Sequence, residues 1–287
     1  MSWSARSTTY CRGIAGVKRS ARRPESVRWG RKRGPVFPYH DENVTQRTPV
    51  VTIAVIAACV LAWLLVQGGG AMLPLAASVC NYGLIPGELL GTVPPGTSWA
   101  MGADLACVVD PGPETRNVFT HMFLHGSWMH LLGNMWFLWL FGNNIEDSMS
   151  RPRFIAFYLL CGMGAAALQV FANPDSAIPM VGASGAISGV MGAYLVLFPR
   201  VRVFTLVPLG FFITSIALPA WVMLIYWMVL QFIGGLSAVG AEGGGVAFWA
   251  HVGGFVAGVV LVKLFTNRRN LATHNRSHWQ PARARRW

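Results

Sequence analysis

Six apolar runs between Val50 and Phe265 constrain this chain most, because no Asp, Glu, Lys or Arg lies in the interior of any of them. A helix needs roughly 20 mainly apolar residues to cross the hydrocarbon core of a bilayer. The runs are about Val50–Gln67, His130–Ile145, Phe154–Ala172, Ala183–Phe198, Ile213–Val239 and Val246–Phe265. Charged residues make up only 12% of the chain, about half of what a soluble domain carries. The expectation is an all-α polytopic membrane protein with six transmembrane helices, the fifth kinked at Pro219. Val203–Phe212 is apolar but short, and Pro208 and Gly210 interrupt it. It reads as an interfacial piece of the loop between the fourth and fifth spans.

The net charge of +12 could suggest a nucleic-acid ligand, but the distribution of charge argues against one. Eleven of the 23 Lys and Arg precede residue 50, and seven lie from Lys263 onward. Basic segments flanking a membrane domain set topology and meet anionic lipid. With the N-terminus inside, Arg151, Arg153, Arg200 and Arg202 also fall inside, and Arg116 alone falls outside. Six spans then return the C-terminus to the same side. Residues 1–48 read as a disordered basic cytoplasmic tail, 49–267 as the membrane domain and 268–287 as a second basic cytoplasmic tail. The expected location is a bacterial inner membrane, with membrane lipid as a partner and no nucleic acid. The N-terminal segment is also poor in acidic residues, so it could pass for an organelle transit peptide.

The first external loop, about Gly68–Met129, is too long to be a mere connector. It is rich in Pro and Gly and ends in a run from Phe119 to His130. Cys80 and Cys107 both lie in it, and a disulfide between them is chemically permitted on an oxidising face. Cys59 and Cys161 sit inside spans, where they read as small packing residues.

Chemistry has few candidates. Ser184 stands between Gly182 and Gly185 where a polar loop gives way to the fourth span. His130 and His251 are the histidines within spans, and intramembrane polar groups are costly unless partnered. His251 shares a helix face with Gly254 and Gly258, which form a GxxxG pair. The fourth span carries its own small-residue stripe at Gly182, Gly185, Gly189 and Gly192. Two such helices packed together could bring His251 to Ser184 as base and nucleophile. His130 and Asn134 lie four apart on one helix face and could donate to a developing oxyanion. The alternatives are ordinary: a membrane serine commonly bonds its own backbone, and a membrane histidine commonly ties two helices. A proton relay through His130 and His251 in a transporter is a further possibility, although no internal repeat is visible. His121 and His125 are four apart, but without a carboxylate or Cys they make a weak case for metal. No metal and no cofactor is expected.

His130-Leu-Leu-Gly-Asn134, Gly182-Ala-Ser-Gly185 and Ala250-His251-Val-Gly-Gly254, in that order on spans two, four and six, resemble the rhomboid intramembrane serine proteases. The match covers about residues 48–266. The resemblance implies a six-helix rhomboid-like bundle with a long first external loop. It implies Ser184 as nucleophile and His251 as general base in a dyad, with His130, Asn134 and the Ser184 N–H around the oxyanion. It also implies a water-filled cavity open to the outside and transmembrane protein segments as substrates. His121 and His125 then read as structural, and the Asn143–Asp147 end of span two looks family-like. A catalytically silent relative that binds membrane helices is the alternative. Two positions depart from the family pattern. Thr115 stands before Arg116 where a Trp is common, and Ser188 stands where an aromatic commonly stacks on the catalytic histidine.

Overall fold

The computed structural model describes residues 37–101, 105–209, 212–237 and 246–278. It is mostly helical, and an apolar helix stands at each of the six runs. The first is Val50–Val66. The second is continuous through Trp128–Phe137, a π-helical turn at Leu138–Gly142, and Asn143–Ser148. The others are Arg151–Ala172, Ser184–Leu197, Ala220–Ser237 and Phe248–Phe265. Among the described residues, three helices are long and apolar enough to cross a membrane: the third, the fifth and the sixth.

The fourth helix is the centre of the bundle. Every residue from Gly185 to Tyr194 is buried, as expected of a helix that is apolar all round. The sixth helix lies against it with almost no side chain between. A Cβ added at Gly254 would sit 1.9 Å from the Gly185 carbonyl oxygen, and one at Gly258 would sit 1.9 Å from that of Gly189. Of the fourth helix's own glycines, Gly192 faces the Phe255 carbonyl of the sixth helix, where a Cβ would sit 2.3 Å from the oxygen, and the other two turn elsewhere. Gly185 faces the Cβ of Ala165 and Gly189 faces Cys161, both on the third helix. The expected pairing of two glycine stripes is present through Gly254, Gly258 and Gly192, and it widens into a three-helix contact in which Gly185 and Gly189 admit the third helix.

Two small antiparallel sheets qualify the all-α expectation. Strand β1 is Phe37–Asp41, β2 Ser98–Ala100, β3 Ala106–Val108, β4 Arg202–Leu209 and β5 Phe212–Pro219. β2 pairs with β3, and the larger sheet has the order β1-β4-β5. The segment read as an interfacial piece is thus half of a hairpin. Pro219 ends β5 rather than kinking a helix, since the fifth helix starts only at Ala220. Proline lacks a backbone N–H, so it suits the end of a strand and the threshold of a helix. The expected end of that span, Val239, lies outside the described residues.

β1 runs up the side of the second helix. Asp41 accepts from Asn144 Nδ2 at 3.0 Å and from Tyr194 Oη at 2.5 Å, while the Pro38 carbonyl accepts from Trp136 Nε1 at 2.8 Å. From Asn144 to Trp136 is eight residues, about 12 Å of helix, and β1 covers a similar height. Residues 37–48, assigned by composition to a disordered tail, are therefore built into the fold. Residues 1–36 lie outside the described residues. At the same end, Arg268–His278, within the segment read as a second basic tail, is a helix. Its His274 is fully buried between Asp147 Oδ2 (2.7 Å) and Asn43 Oδ1 (2.8 Å). Residues 279–287 again lie outside the described residues.

The start of the first helix has no side-chain cap of its own. Glu146, at the end of the second helix, supplies one. Its carboxylate accepts from Val51 N (2.9 Å), Thr52 N (2.8 Å) and Thr52 Oγ1 (2.9 Å). A carboxylate there satisfies unpaired N–H groups and complements the positive end of the helix dipole. Asp147 meanwhile accepts from Gln46 N and Arg47 Nε.

The segment joining the first two helices is shaped by short helices, the β2–β3 ribbon and a disulfide between Cys80 and Cys107, with Cα atoms 5.4 Å apart. Cys59 and Cys161 are free and buried. Gln67 reads the backbone of His125 on both sides, donating to its carbonyl at 2.7 Å and accepting from its N–H at 2.8 Å. Leu84 and Met180 exchange backbone hydrogen bonds of 2.9 and 2.8 Å. This segment therefore fixes the loop that leads into Ser184.

Candidate active site

Ser184 is the first residue of the fourth helix. The chain reaches it through Gly182, which has φ of +132° and donates its N–H to the His121 carbonyl at 2.9 Å. A side chain is strained at that φ, and a Cβ there would lie 2.8 Å from His130 Nε2. The absence of a side chain at Gly182 lets the His130 ring lie close beside Ser184.

His251 lies near the start of the sixth helix, in its first turn, where the approach of Gly254 to Gly185 holds it against the fourth. Its Nε2 is 2.8 Å from Ser184 Oγ. Its Nδ1 is 2.7 Å from Gln231 Oε1 of the fifth helix. The Trp227 ring, one turn earlier on that helix, lies 5.7 Å from the imidazole, tilted by 38°. An aromatic against the histidine is thus present, but it comes from the fifth helix. Ser188 instead donates its hydroxyl to the Ser184 carbonyl at 2.6 Å, the common fate of a helical serine.

His130 follows Ser127, whose hydroxyl caps the second helix by accepting the His130 N–H at 3.1 Å. The Gly126 N–H donates to His130 Nδ1 at 3.3 Å. An Nδ1 that accepts leaves the proton of the neutral ring on Nε2, the atom nearest Gly182. Asn134, one turn on, is buried and its Nδ2 makes no hydrogen bond to the described residues. Ser184, His251, His130 and Asn134 all line one cavity of about 570 Å³. It therefore brings together a hydroxyl, a base and two N–H donors in one cleft, with Gly133, Phe137 and Trp227 on its walls. Such a set can do acyl transfer through a covalent intermediate.

The other two loop histidines sit in structural surroundings. His121 Nδ1 is 2.8 Å from the Asn117 carbonyl, and burial pushes its pKa down to about 4. His125 is fully buried with its ring edge-on to His130 at 5.2 Å. Burial first, and then the charge of His130, push its pKa down to about 3.

Gln231 and Trp227 do not stand out among the sequence candidates. A signal was present: Gln231 is the amide in an otherwise apolar stretch, and a polar side chain in such a helix is expected to have a partner.

The arrangement defines a class: a polytopic, mostly helical membrane protein with a serine–histidine pair in a cleft between its helices. The chain belongs to the rhomboid family, for the Rhomboid domain model matches residues 113–268, more than half of the 287. It is 33% identical over 155 residues to Rhomboid-like protease 5 of Toxoplasma gondii, covering 51% of this chain and 16% of that protein. It is 30% identical over 162 residues to the chloroplastic Rhomboid-like protein 11 of Arabidopsis thaliana, covering 54% of each. It is 26% identical over 145 residues to the mitochondrial Rhomboid protein 1 of Saccharomyces cerevisiae, covering 48% of this chain and 38% of that protein. The chain thus spans about half or less of the length of these relatives. Two of them belong by name to organelles, so the expected bacterial inner membrane has no support among them. The membrane assignment itself rests on the apolar helices.

Proposed function

We propose that this protein is an intramembrane serine endopeptidase that cleaves transmembrane segments of other membrane proteins. The single observation that carries the reading is the 2.8 Å approach of His251 Nε2 to Ser184 Oγ inside an apolar bundle. In this reading all six apolar helices cross the membrane, with the basic termini on the cytoplasmic side. The long first loop and the cavity mouth then lie on the opposite face.

His251 Nε2 takes the Ser184 proton as Oγ attacks a peptide carbonyl of the substrate. The carbonyl oxygen becomes an oxyanion, which His130 Nε2–H, Asn134 Nδ2 and the Ser184 N–H stabilise. The imidazolium returns its proton to the leaving amine, and an acyl-enzyme remains. Water, activated by the same histidine, releases it. The two side-chain donors are preorganised on one face of the second helix, so little reorganisation accompanies the developing charge. No carboxylate takes part.

A serine-reactive fluorophosphonate separates this reading from that of a silent rhomboid-like protein that merely binds membrane helices. The expected result is an adduct on the Ser184 peptide that is lost in His251→Ala. Absence of the adduct from the intact protein would favour the silent protein.

A further inference from the structure

We infer that Gln231 is a positioning residue that sets the tautomer and ring orientation of His251; this rests on the protease reading above. For Nε2 to accept the Ser184 proton, the proton of the neutral imidazole must sit on Nδ1. A proton there needs an acceptor, because an unsatisfied N–H in an apolar bundle is costly. Gln231 Oε1 meets it at 2.7 Å, on the side of the ring opposite Ser184. These are the two hydrogen bonds of the His251 ring with the described residues, so the ring is fixed at both nitrogens.

The surroundings of Gln231 give it little other purpose. Its neighbours Leu230 and Phe232 are exposed apolar residues on a helix only partly buried in the bundle. Trp227 lies four residues earlier, hence on the same face, and its ring lies beside the same imidazole. One face of the fifth helix therefore carries both an acceptor and a ring for a histidine that belongs to the sixth. The acceptor is a neutral amide, which orients the ring without placing a second charge in a low-dielectric site. Its contribution is to geometry and tautomer, which act on the chemical step and not on the capture of substrate.

The test uses the full chain in proteoliposomes with a transmembrane substrate, comparing Gln231→Leu and Gln231→Glu with the unaltered protein. Leucine removes the acceptor and keeps the bulk. Gln231→Leu should lower kcat about 10- to 100-fold, less than loss of the base itself because His251 is kept, with KM unchanged. Glutamate restores an acceptor oxygen and should recover most of the loss. Independently of turnover, ¹⁵N NMR of labelled His251 in the Ser184→Ala background should report the Nδ1–H tautomer, and Gln231→Leu should shift the ring toward Nε2–H or an exchanging mixture. Unchanged kcat and an unchanged tautomer in Gln231→Leu would overturn the inference, as would a Gln231→Glu variant as impaired as Gln231→Leu. If the unaltered protein neither cleaves substrate nor takes a fluorophosphonate, the protease reading fails, and the NMR arm still decides whether Gln231 orients His251.

Discussion

The α-carbon of Gly258 faces the carbonyl of Gly189 so closely that a Cβ there would lie 1.9 Å from the oxygen. Gly254 stands in the same relation to Gly185, one turn nearer His251. Backbone cannot yield as a flexible side chain can, so a methyl group at either position must push the sixth helix off the fourth. Gly258→Ala and Gly254→Ala are each expected to destabilise the fold by about 1–3 kcal/mol. Thermal unfolding in detergent measures this. Gly254→Ala should also lose more activity than Gly258→Ala at matched stability, because it widens the helix gap next to the Ser184–His251 pair.

The carboxylate of Glu146 holds two N–H groups and a hydroxyl at the start of the first helix. Glu146→Ala leaves those buried donors without an acceptor, at about 1–3 kcal/mol for each one left unsatisfied. Glu146→Gln keeps one acceptor oxygen and should fall between. Denaturant titration in detergent checks the order, intact protein above Gln above Ala. Equal stability of the three would contradict the capping role.

Asp41 is buried beside Tyr194 and Asn144, and burial outweighs its hydrogen bonds to lift its pKa from the ordinary 3.8 to about 7. A carboxyl with a raised folded pKa contributes stability that is fully present below its unfolded value and lost as pH rises through the folded one. Docking of β1 should therefore weaken between about pH 4 and pH 7. Hydrogen exchange of residues 37–48 should show more protection at pH 5 than at pH 8. Asp41→Asn should remove most of that difference; a difference of the same size in the variant would assign it to another group.

Much of this could be read in the sequence, for physical reasons that also mark where the reading stops. The helices at the six runs follow from hydropathy, because a lipid-facing helix must be apolar over its whole length. Ser184, His251, His130 and Asn134 stood out because few polar groups occur within apolar runs, and the structure brings these four to one cavity. The β4–β5 hairpin was hidden because its strands lack the polar–apolar alternation that marks a half-buried strand. β1 was hidden because its pairing with β4 is a tertiary fact. Spacing marked the glycines but could not say which neighbour each admits. Gln231 carries no comparable mark: unlike Asn134 it has no histidine one turn away on its own helix, and its partner His251 lies on another helix.

Asn134 Nδ2 is a buried donor that no described residue satisfies. A donor held ready for a charge that develops only in the transition state should act on kcat and leave substrate binding alone. Asn134→Ala is expected to lower kcat about 100- to 1000-fold, or less where His130 compensates, with KM little changed. Steady-state kinetics on a fluorogenic transmembrane substrate checks this. An effect confined to KM would place Asn134 in binding instead.

The central claim is that Ser184 and His251 cut peptide bonds within membrane segments. Its most direct test is cleavage of a panel of single-span substrates by the purified protein in proteoliposomes, with the products mapped by mass spectrometry. The account predicts a cut within or at the edge of the membrane segment. Ser184→Ala and His251→Ala should each reduce it more than about 1000-fold, with unfolding temperatures close to that of the unaltered protein. Cleavage by Ser184→Ala at the unaltered rate would contradict it.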